Sequence, residues 1–332
     1  MSKKYVVVYA GDDNYAMQIG VSMYSLLSNN PDMQLIIYIF SDGISEENCK
    51  RLNSVAVEFG AEIQIKKMPD LDQLVGNELD TLNWAKAAYC RLFFTVLFPE
   101  DIDKVLWLDG DTLILDRITE LLNMDIEEYG CAAVIDSMDT FKKTHGFSRK
   151  DKYFNTGVLL INLKYWRDNQ IYKKILQEIC FRKGKSIDVD QSYINCILKG
   201  KIKVLPPEYN LMHRFFIVKN GYKAYLSTAG YKEKESYSEQ SLLRAVNHPV
   251  IYHFTGESDS RPWNEECSFP GSHQWLEYLK KTPWRDYCLQ KDMINAKETK
   301  KSIWLHRKKM SCFLTRLIYV KKHYGFWLRK YR

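Results

Sequence analysis

The sequence contains no uninterrupted apolar run of the roughly 20 residues that a bilayer span requires. Its first strand is expected from Tyr5, which leaves no room for a signal peptide. A cytoplasmic protein is therefore expected. There is no C-x-x-C among the eight cysteines (49, 90, 131, 180, 196, 267, 288 and 312), which argues against a zinc ribbon or a dithiol redox site. Several of these cysteines lie in apolar runs, where a reduced, buried thiol fits. The absence of G-x-G-x-x-G excludes the usual dinucleotide cofactor loop. No P-loop, kinase signature, nucleophile elbow or recognised repeat is present.

What is present belongs to an ordinary folded chain. The 332 residues are 45% apolar and 27% charged, enough for one large domain or two smaller ones. Buried strands read at Tyr5–Tyr9 and Leu35–Phe40 and a third strand at Glu62–Lys66, with helices between them, so the first half is α/β. Ser45, followed by Glu46 and Glu47, opens the second helix and Gly60 ends it. A loop, Ala10-Gly-Asp12-Asp-Asn14-Tyr15, joins the first strand to a helix with Met17, Val21, Tyr24 and Leu27 on one face. Such strand-loop-helix junctions bind nucleotides in α/β proteins, where Asp12 and Asn14 would meet a base edge and a ribose. The same two residues also serve as helix caps.

The chain is organised around Lys104-Val-Leu-Trp-Leu-Asp109-Gly110-Asp111. Alternation along an extended backbone predicts that Asp109 and Asp111 face one point past a buried strand, with Gly110 admitting a ligand to the backbone. Two such carboxylates suit a hard divalent cation working on phosphates, or else a polar turn that merely ends a strand. A helix is expected from Trp84 to Phe98, stopping at Pro99 and carrying Lys86 and Arg91. Arg91 is the better candidate for an anionic ligand, although many such arginines only snorkel. Cys131–Ile135 reads as a strand ending at Asp136, and Asn155-Thr156-Gly157 as a polar turn before a strand that runs to Asn162. Asp188, Asp190 and Gln191 open a helix to Gly200, in a pattern that also resembles a capping box. His253 ends a short strand and offers a third metal ligand, since imidazole suits Mn²⁺, and Arg261 is left to neutralise a phosphate.

The net charge of +7 hides a division. Lys297 to Arg332 carries twelve Lys/Arg against one Glu, a local +11, which leaves −4 for residues 1 to 296. Within that tail Met310, Phe313, Leu314, Leu317 and Ile318 share a helical face, among basic residues and Trp304, Tyr324, Phe326 and Trp327. A basic amphipathic helix with aromatics suits an anionic membrane surface, ahead of a protein partner. Nucleic acid is not expected, because the body is acidic and lacks basic stripes.

In this order the motifs resemble glycosyltransferase family 8, the retaining transferases of GT-A fold, and within it the bacterial lipooligosaccharide α-galactosyltransferases and α-glucosyltransferases. The resemblance covers Tyr5 to Trp263. It implies a mixed, mostly parallel sheet flanked by helices in a catalytic domain of residues 1–285, followed by a tail, 286–332. It implies a uridine loop at Ala10–Tyr15, with Asp12 on the uracil and Asn14 on the ribose. Mn²⁺, or else Mg²⁺, would sit on Asp109, Asp111 and His253. Lys86, Arg91, Gly110, Asn155, Thr156, Asp190, Gln191, Gly256 and Arg261 would contact the donor, with Arg91, Asp190 and Gln191 at the reacting centre. The implied reaction moves glucose or galactose from a UDP-sugar, with retention, to a saccharide, lipid-linked glycan or glycoprotein acceptor, at the inner face of the cell membrane. Another nucleotide-sugar enzyme (a nucleotidyltransferase or an inverting transferase) and an inert membrane-associated scaffold are the rival readings. Two departures stand out: Arg261 replaces the lysine of many members, and Ser192 replaces a second aspartate.

Overall fold

The computed structural model describes residues 4–290, apart from 77–78, 81–85, 139, 187 and 256–259. Gly256 and the basic tail therefore lie outside the described residues.

A seven-stranded sheet runs in the order β3-β2-β1-β4-β7-β6-β8. Its strands are β1 (Lys4–Gly11), β2 (Gln34–Ser41), β3 (Glu62–Lys67), β4 (Lys104–Leu108), β6 (Cys131–Ile135), β7 (Phe154–Asn162) and β8 (Ile202–Val204). All are parallel except β7, which runs against both its neighbours, β4 and β6. Strands β1, β4 and β6 are buried from end to end or nearly so, as expected where helices cover both faces. A second sheet of three short strands, β5 (Thr112–Ile114), β9 (Leu211–Met212) and β10 (Ile251–His253), has the order β5-β10-β9.

The C-terminal ends of β1, β4 and β6 and the start of the reversed β7 share one sheet edge. The chain order doubles back between β1 and β4, and crevices at such points hold ligands in α/β proteins. Helix α1 (Ala16–Asn29) leaves this edge and is buried on most of its surface, while α2 (Glu46–Glu58) is capped by the Ser45 hydroxyl. A relay of hydroxyls docks α1 onto the edge. The Tyr9 and Ser22 hydroxyls lie 3.1 Å apart, those of Ser22 and Thr112 lie 2.9 Å apart, and Thr112 donates to the Asp109 carbonyl at 2.8 Å. The Trp284 indole lies over α1 so closely that a Cβ on Gly20 would meet it at 2.2 Å.

Three local expectations are corrected. In place of a helix from Trp84 to Phe98, a 3-10 helix spans Lys86–Phe93 and a single α-turn spans Phe94–Leu97. Tyr89, Cys90, Arg91, Leu92, Phe93 and Phe94 are all buried in succession, so packing on every side has replaced a one-sided amphipathic face. Asn155-Thr156-Gly157 lies inside β7 and is no turn. The helix after Asp188 spans Val189–Ile197, and the Asp188 side chain makes no cap hydrogen bond.

Candidate active site

The two sheets meet at Asp109-Gly110-Asp111. The chain leaves the large sheet at Leu108 and enters the small one at Thr112, turning so that the Thr112 amide donates to the Asp109 carbonyl at 3.1 Å. The carboxylates converge through this turn and not through strand alternation. Gly110 also makes room for packing: a Cβ there would lie 2.9 Å from Ile19 and 3.1 Å from Tyr15, so the glycine admits α1 and its leading loop. Strand β10 pairs with β5, placing His253 opposite Thr112. Gly157 on β7 leaves room for the imidazole, since a Cβ there would lie 2.0 Å from His253 Cε1.

Asp109, Asp111 and His253 thus present one ligand atom each within 4.8 Å of one another. His253 Nε2 stands 3.2 Å from Asp111 Oδ1 and 3.6 Å from Asp109 Oδ2. The other Asp109 oxygen is occupied, accepting from the Trp107 indole at 2.7 Å and from Arg91 at 2.9 Å. Asp111 Oδ1 is buried without a hydrogen-bond partner among the described residues, and it faces His253 Nε2 at 3.2 Å. A buried, unpartnered carboxylate oxygen facing a second carboxylate and an imidazole nitrogen fits a divalent cation with oxygen and nitrogen ligands. Burial raises the Asp111 pKa, but the opposing pull of His253 and Arg261 outweighs it and holds the group below the ordinary carboxylate value. For His253, burial disfavours the imidazolium, but Asp111 and Asp109 prevail and its pKa lies above the ordinary value.

Arg91 is almost fully buried and does not snorkel. Its guanidinium lies 4.2 Å from the Trp107 ring, bonds Asp109, approaches Asp190 at 3.0 Å and donates to the Thr156 carbonyl. Lys86 instead pairs with Asp72 at 2.6 Å. Asp190 is buried beside Arg91. Burial, with Asp109 adding, pushes its pKa up to about 6 despite that cation.

Gln191 is held at both ends. Its carbonyl oxygen accepts from the Thr156 amide at 3.0 Å, and its nitrogen donates to Asp188 at 2.5 Å and Asp136 at 3.1 Å. Tyr153 donates to the same Asp188 oxygen at 2.9 Å, and the Ser192 hydroxyl accepts from the Asp188 amide at 3.0 Å. Burial, reinforced by Asp136, drives the Asp188 pKa up to about 8. Val189 adopts φ 46°, a left-handed conformation that costs a β-branched residue about 1–3 kcal/mol, so the start of this helix stores strain beside the site.

The entrance loop is organised locally. Asp12 accepts from the Tyr15 amide at 3.1 Å and from Asn14 at 3.2 Å, while Asp13 reaches across to the Ser45 amide and to Asn48, each at 2.8 Å. Ala10 is the penultimate residue of β1, directly before this loop. Trp263 stands between Tyr15 (6.1 Å) and Trp275 (5.8 Å), which anchors the segment carrying Arg261. Arg261 Nε is buried without a hydrogen-bond partner among the described residues.

Sequence reasoning missed Trp107, Asp136, Asp188 and above all Asn210. Asn210 is fully buried. Its side-chain oxygen lies 2.9 Å from His253 Nδ1, and its nitrogen donates to Asn155 Oδ1 at 2.9 Å.

A doubly covered, mostly parallel sheet with an Asp-Gly-Asp corner and a convergent histidine defines a glycosyltransferase of GT-A fold. The solved structures agree. The galactosyltransferase LgtC in complex with donor and acceptor sugar analogues is 26% identical, with a TM-score of 0.69 over 85% of this chain and all of that one. The family model for Glycosyl transferase family 8 matches residues 6–267, and the chain belongs to that family. Among its relatives, general stress protein A of Bacillus subtilis is 28% identical over 84% of this chain and 94% of its own. A lipopolysaccharide 1,2-glucosyltransferase of Escherichia coli is 25% identical over 96% and 90%. A lipopolysaccharide 1,3-galactosyltransferase of Salmonella typhimurium is 25% identical over 86% and 81%.

Proposed function

We propose that the protein transfers glucose or galactose from a UDP-sugar to a saccharide acceptor with retention, forming an α-linkage. The convergence of Asp109, Asp111 and His253 beside Arg261 carries this reading. Mn²⁺ is the proposed ion, with Mg²⁺ as substitute, and when bound it supplies a Lewis acid for the diphosphate of the leaving group. The buried, unpartnered Nε–H of Arg261 is a donor for the same phosphates, whose charge grows as the glycosidic bond breaks.

Gln191 supports a front-face course. Its carbonyl oxygen is held by the Thr156 amide, and an amide is a poor nucleophile in any case. The C1–O bond to the phosphate then breaks, the acceptor oxygen bonds C1 on the same face, and the leaving phosphate takes the acceptor's proton. Asp190, Arg91 and Thr156 form the wall of this centre, and Asn155 presents its amide to the sugar.

The acceptor is proposed to be a lipid-linked glycan or another glycoconjugate. Residues 297–332 would hold the enzyme to the anionic inner face of the cell membrane. Among the described residues no helix is long and apolar enough to cross a membrane.

Release of UDP from a panel of UDP-sugars, with Mn²⁺ and with EDTA, tests the reading. Metal-dependent hydrolysis of UDP-glucose or UDP-galactose is expected. Release of pyrophosphate, or a β-linked product once an acceptor is supplied, would replace it with another nucleotide-sugar chemistry.

A further inference from the structure

Asn210 lies in the segment between the helix at Val189–Ile197 and β10, on which no donor or metal role has been placed. Its amide faces two groups that do carry such roles. Because a carbonyl oxygen cannot donate, the 2.9 Å contact between Asn210 Oδ1 and His253 Nδ1 fixes the ring proton on Nδ1. Nε2, which faces Asp111 and Asp109, is thereby left as the ring nitrogen that would give its lone pair to a cation held between them. At its other end Asn210 Nδ2 donates to Asn155 Oδ1, which also accepts from the Gly157 amide at 3.0 Å. That oxygen is saturated and turned inward. The Asn155 nitrogen therefore lies on the opposite side of the amide, where its partner among the described residues is Asp136 at a long 3.5 Å.

We propose that Asn210 is a positioning residue whose buried amide links the metal-holding face of His253 to the sugar-facing N–H of Asn155. One side chain thus sets both the tautomer of the metal ligand and the polarity of the donor-sugar contact. Outer hydrogen bonds of this kind are worth about 10–100-fold in metal affinity. The inference rests on the function proposed above.

Two substitutions separate the two ends. Asn210→Leu removes both. Asn210→Asp keeps an acceptor for His253 Nδ1–H but sets a carboxylate against Asn155 Oδ1, which the Gly157 amide still holds, so the Asn155 amide is pushed from its native pose toward the sugar. Three readouts apply, on full-length protein whose folding is checked by thermal denaturation. They are Mn²⁺ affinity in the presence of UDP, by electron paramagnetic resonance; the ratio of affinities for UDP-glucose or UDP-galactose over UDP, by calorimetry; and the ¹⁵N shifts of the His253 imidazole without any ion.

Asn210→Leu is expected to lose about 10–100-fold in Mn²⁺ affinity, to lose the sugar's share of binding and to change the imidazole shifts. Asn210→Asp is expected to keep Mn²⁺ affinity at or above that of the native protein while losing the sugar's share. A folded Asn210→Leu with native values in all three overturns the bridge alone. A native protein that binds no Mn²⁺ with UDP overturns the reading of the site and this link with it. Parallel loss of both affinities in Asn210→Asp overturns the division of labour between the two ends.

Discussion

Gly157 and His253 show how closely the site is fitted. A methyl group at Gly157 has nowhere to go but through the imidazole, 2.0 Å away, and β7 is locked between two strands and cannot retreat. Gly157→Ala is therefore expected to cost about 1–3 kcal/mol in urea denaturation and to weaken Mn²⁺ binding by displacing the ring. Native metal affinity in that variant would mean the histidine is not a ligand. Asp111→Asn makes the complementary change, leaving size intact while removing charge from an oxygen that has no hydrogen-bond partner. It should lower metal-dependent UDP release at least 100-fold, with the melting temperature held, because no protein–protein hydrogen bond of that oxygen is lost. Residue by residue, the sequence exposes what is contiguous. Asp109 and Asp111 stand two apart and are visible at once, and Arg261 and His253 follow from their neighbours. Asn210 and Asp136 are not visible in this way, because strand pairing and loop docking alone bring them to the centre. Even for Asp109 and Asp111 the convergence was legible and its cause was not. The alternation argument presumes a strand that in fact ends at Leu108.

The segment opening at Asp188 carries strong electrostatic tension. An unfolded aspartate titrates near about 3.9, whereas the native Asp188 titrates near 8 because it is buried beside Asp136. The native state therefore holds a proton that the unfolded chain gives up between these values. Stability from this group is fully present below about pH 4 and is lost as pH rises toward 8. Asp188→Asn retains an oxygen to accept from Tyr153 and Gln191, so it should flatten the fall in urea midpoint between pH 5 and pH 8. Equal slopes in the two proteins would show that the carboxyl is not buried as described. A capping box was a fair reading of Asp188 and Gln191 from spacing. The structure spends Gln191 on β7 and Asp136 instead, a tertiary demand that local pattern does not register. The Lys86–Phe93 segment fails for the same reason, since the unbroken burial from Tyr89 onward erases the period that identifies an amphipathic helix. Helix α1 offers a steric test at the same scale. Gly20→Ala would drive Trp284 off the helix at a cost of about 1–3 kcal/mol, and an unchanged urea midpoint would contradict that packing.

For the whole molecule, charge is separated along the chain. An acidic body of residues 1–296 precedes a strongly basic end. Truncation before Lys297 should leave metal-dependent UDP release in solution and abolish sedimentation with vesicles containing anionic lipid. Vesicle binding that survives truncation would place the membrane contact on the body. Of the architecture, the alternation of strands and helices and the resemblance to a transferase family were readable in advance. The splitting off of the three-stranded sheet was not. It depends on Ile251–His253 pairing with Thr112–Ile114, well over a hundred residues earlier, and two- and three-residue strands leave little periodicity to detect.

The reversal of β7 bears on how such a molecule is made. As the chain emerges from N- to C-terminus, β1 to β4 can pair in parallel as soon as Leu108 is available, leaving one long side of β4 bare. Strand β6 is the next strand of this sheet to appear, but it touches neither β4 nor any earlier strand, and it must wait for Phe154–Asn162 to thread between the two. Nascent or truncated chains ending between about residues 110 and 150 would therefore expose an apolar sheet edge open to pairing with another chain. Half of the candidate active site, from Asn155 to His253, is assembled only when that gap closes. Biosynthesis thus passes through an interval in which the protein is sticky and inert together, and its yield would depend on how quickly one antiparallel strand arrives.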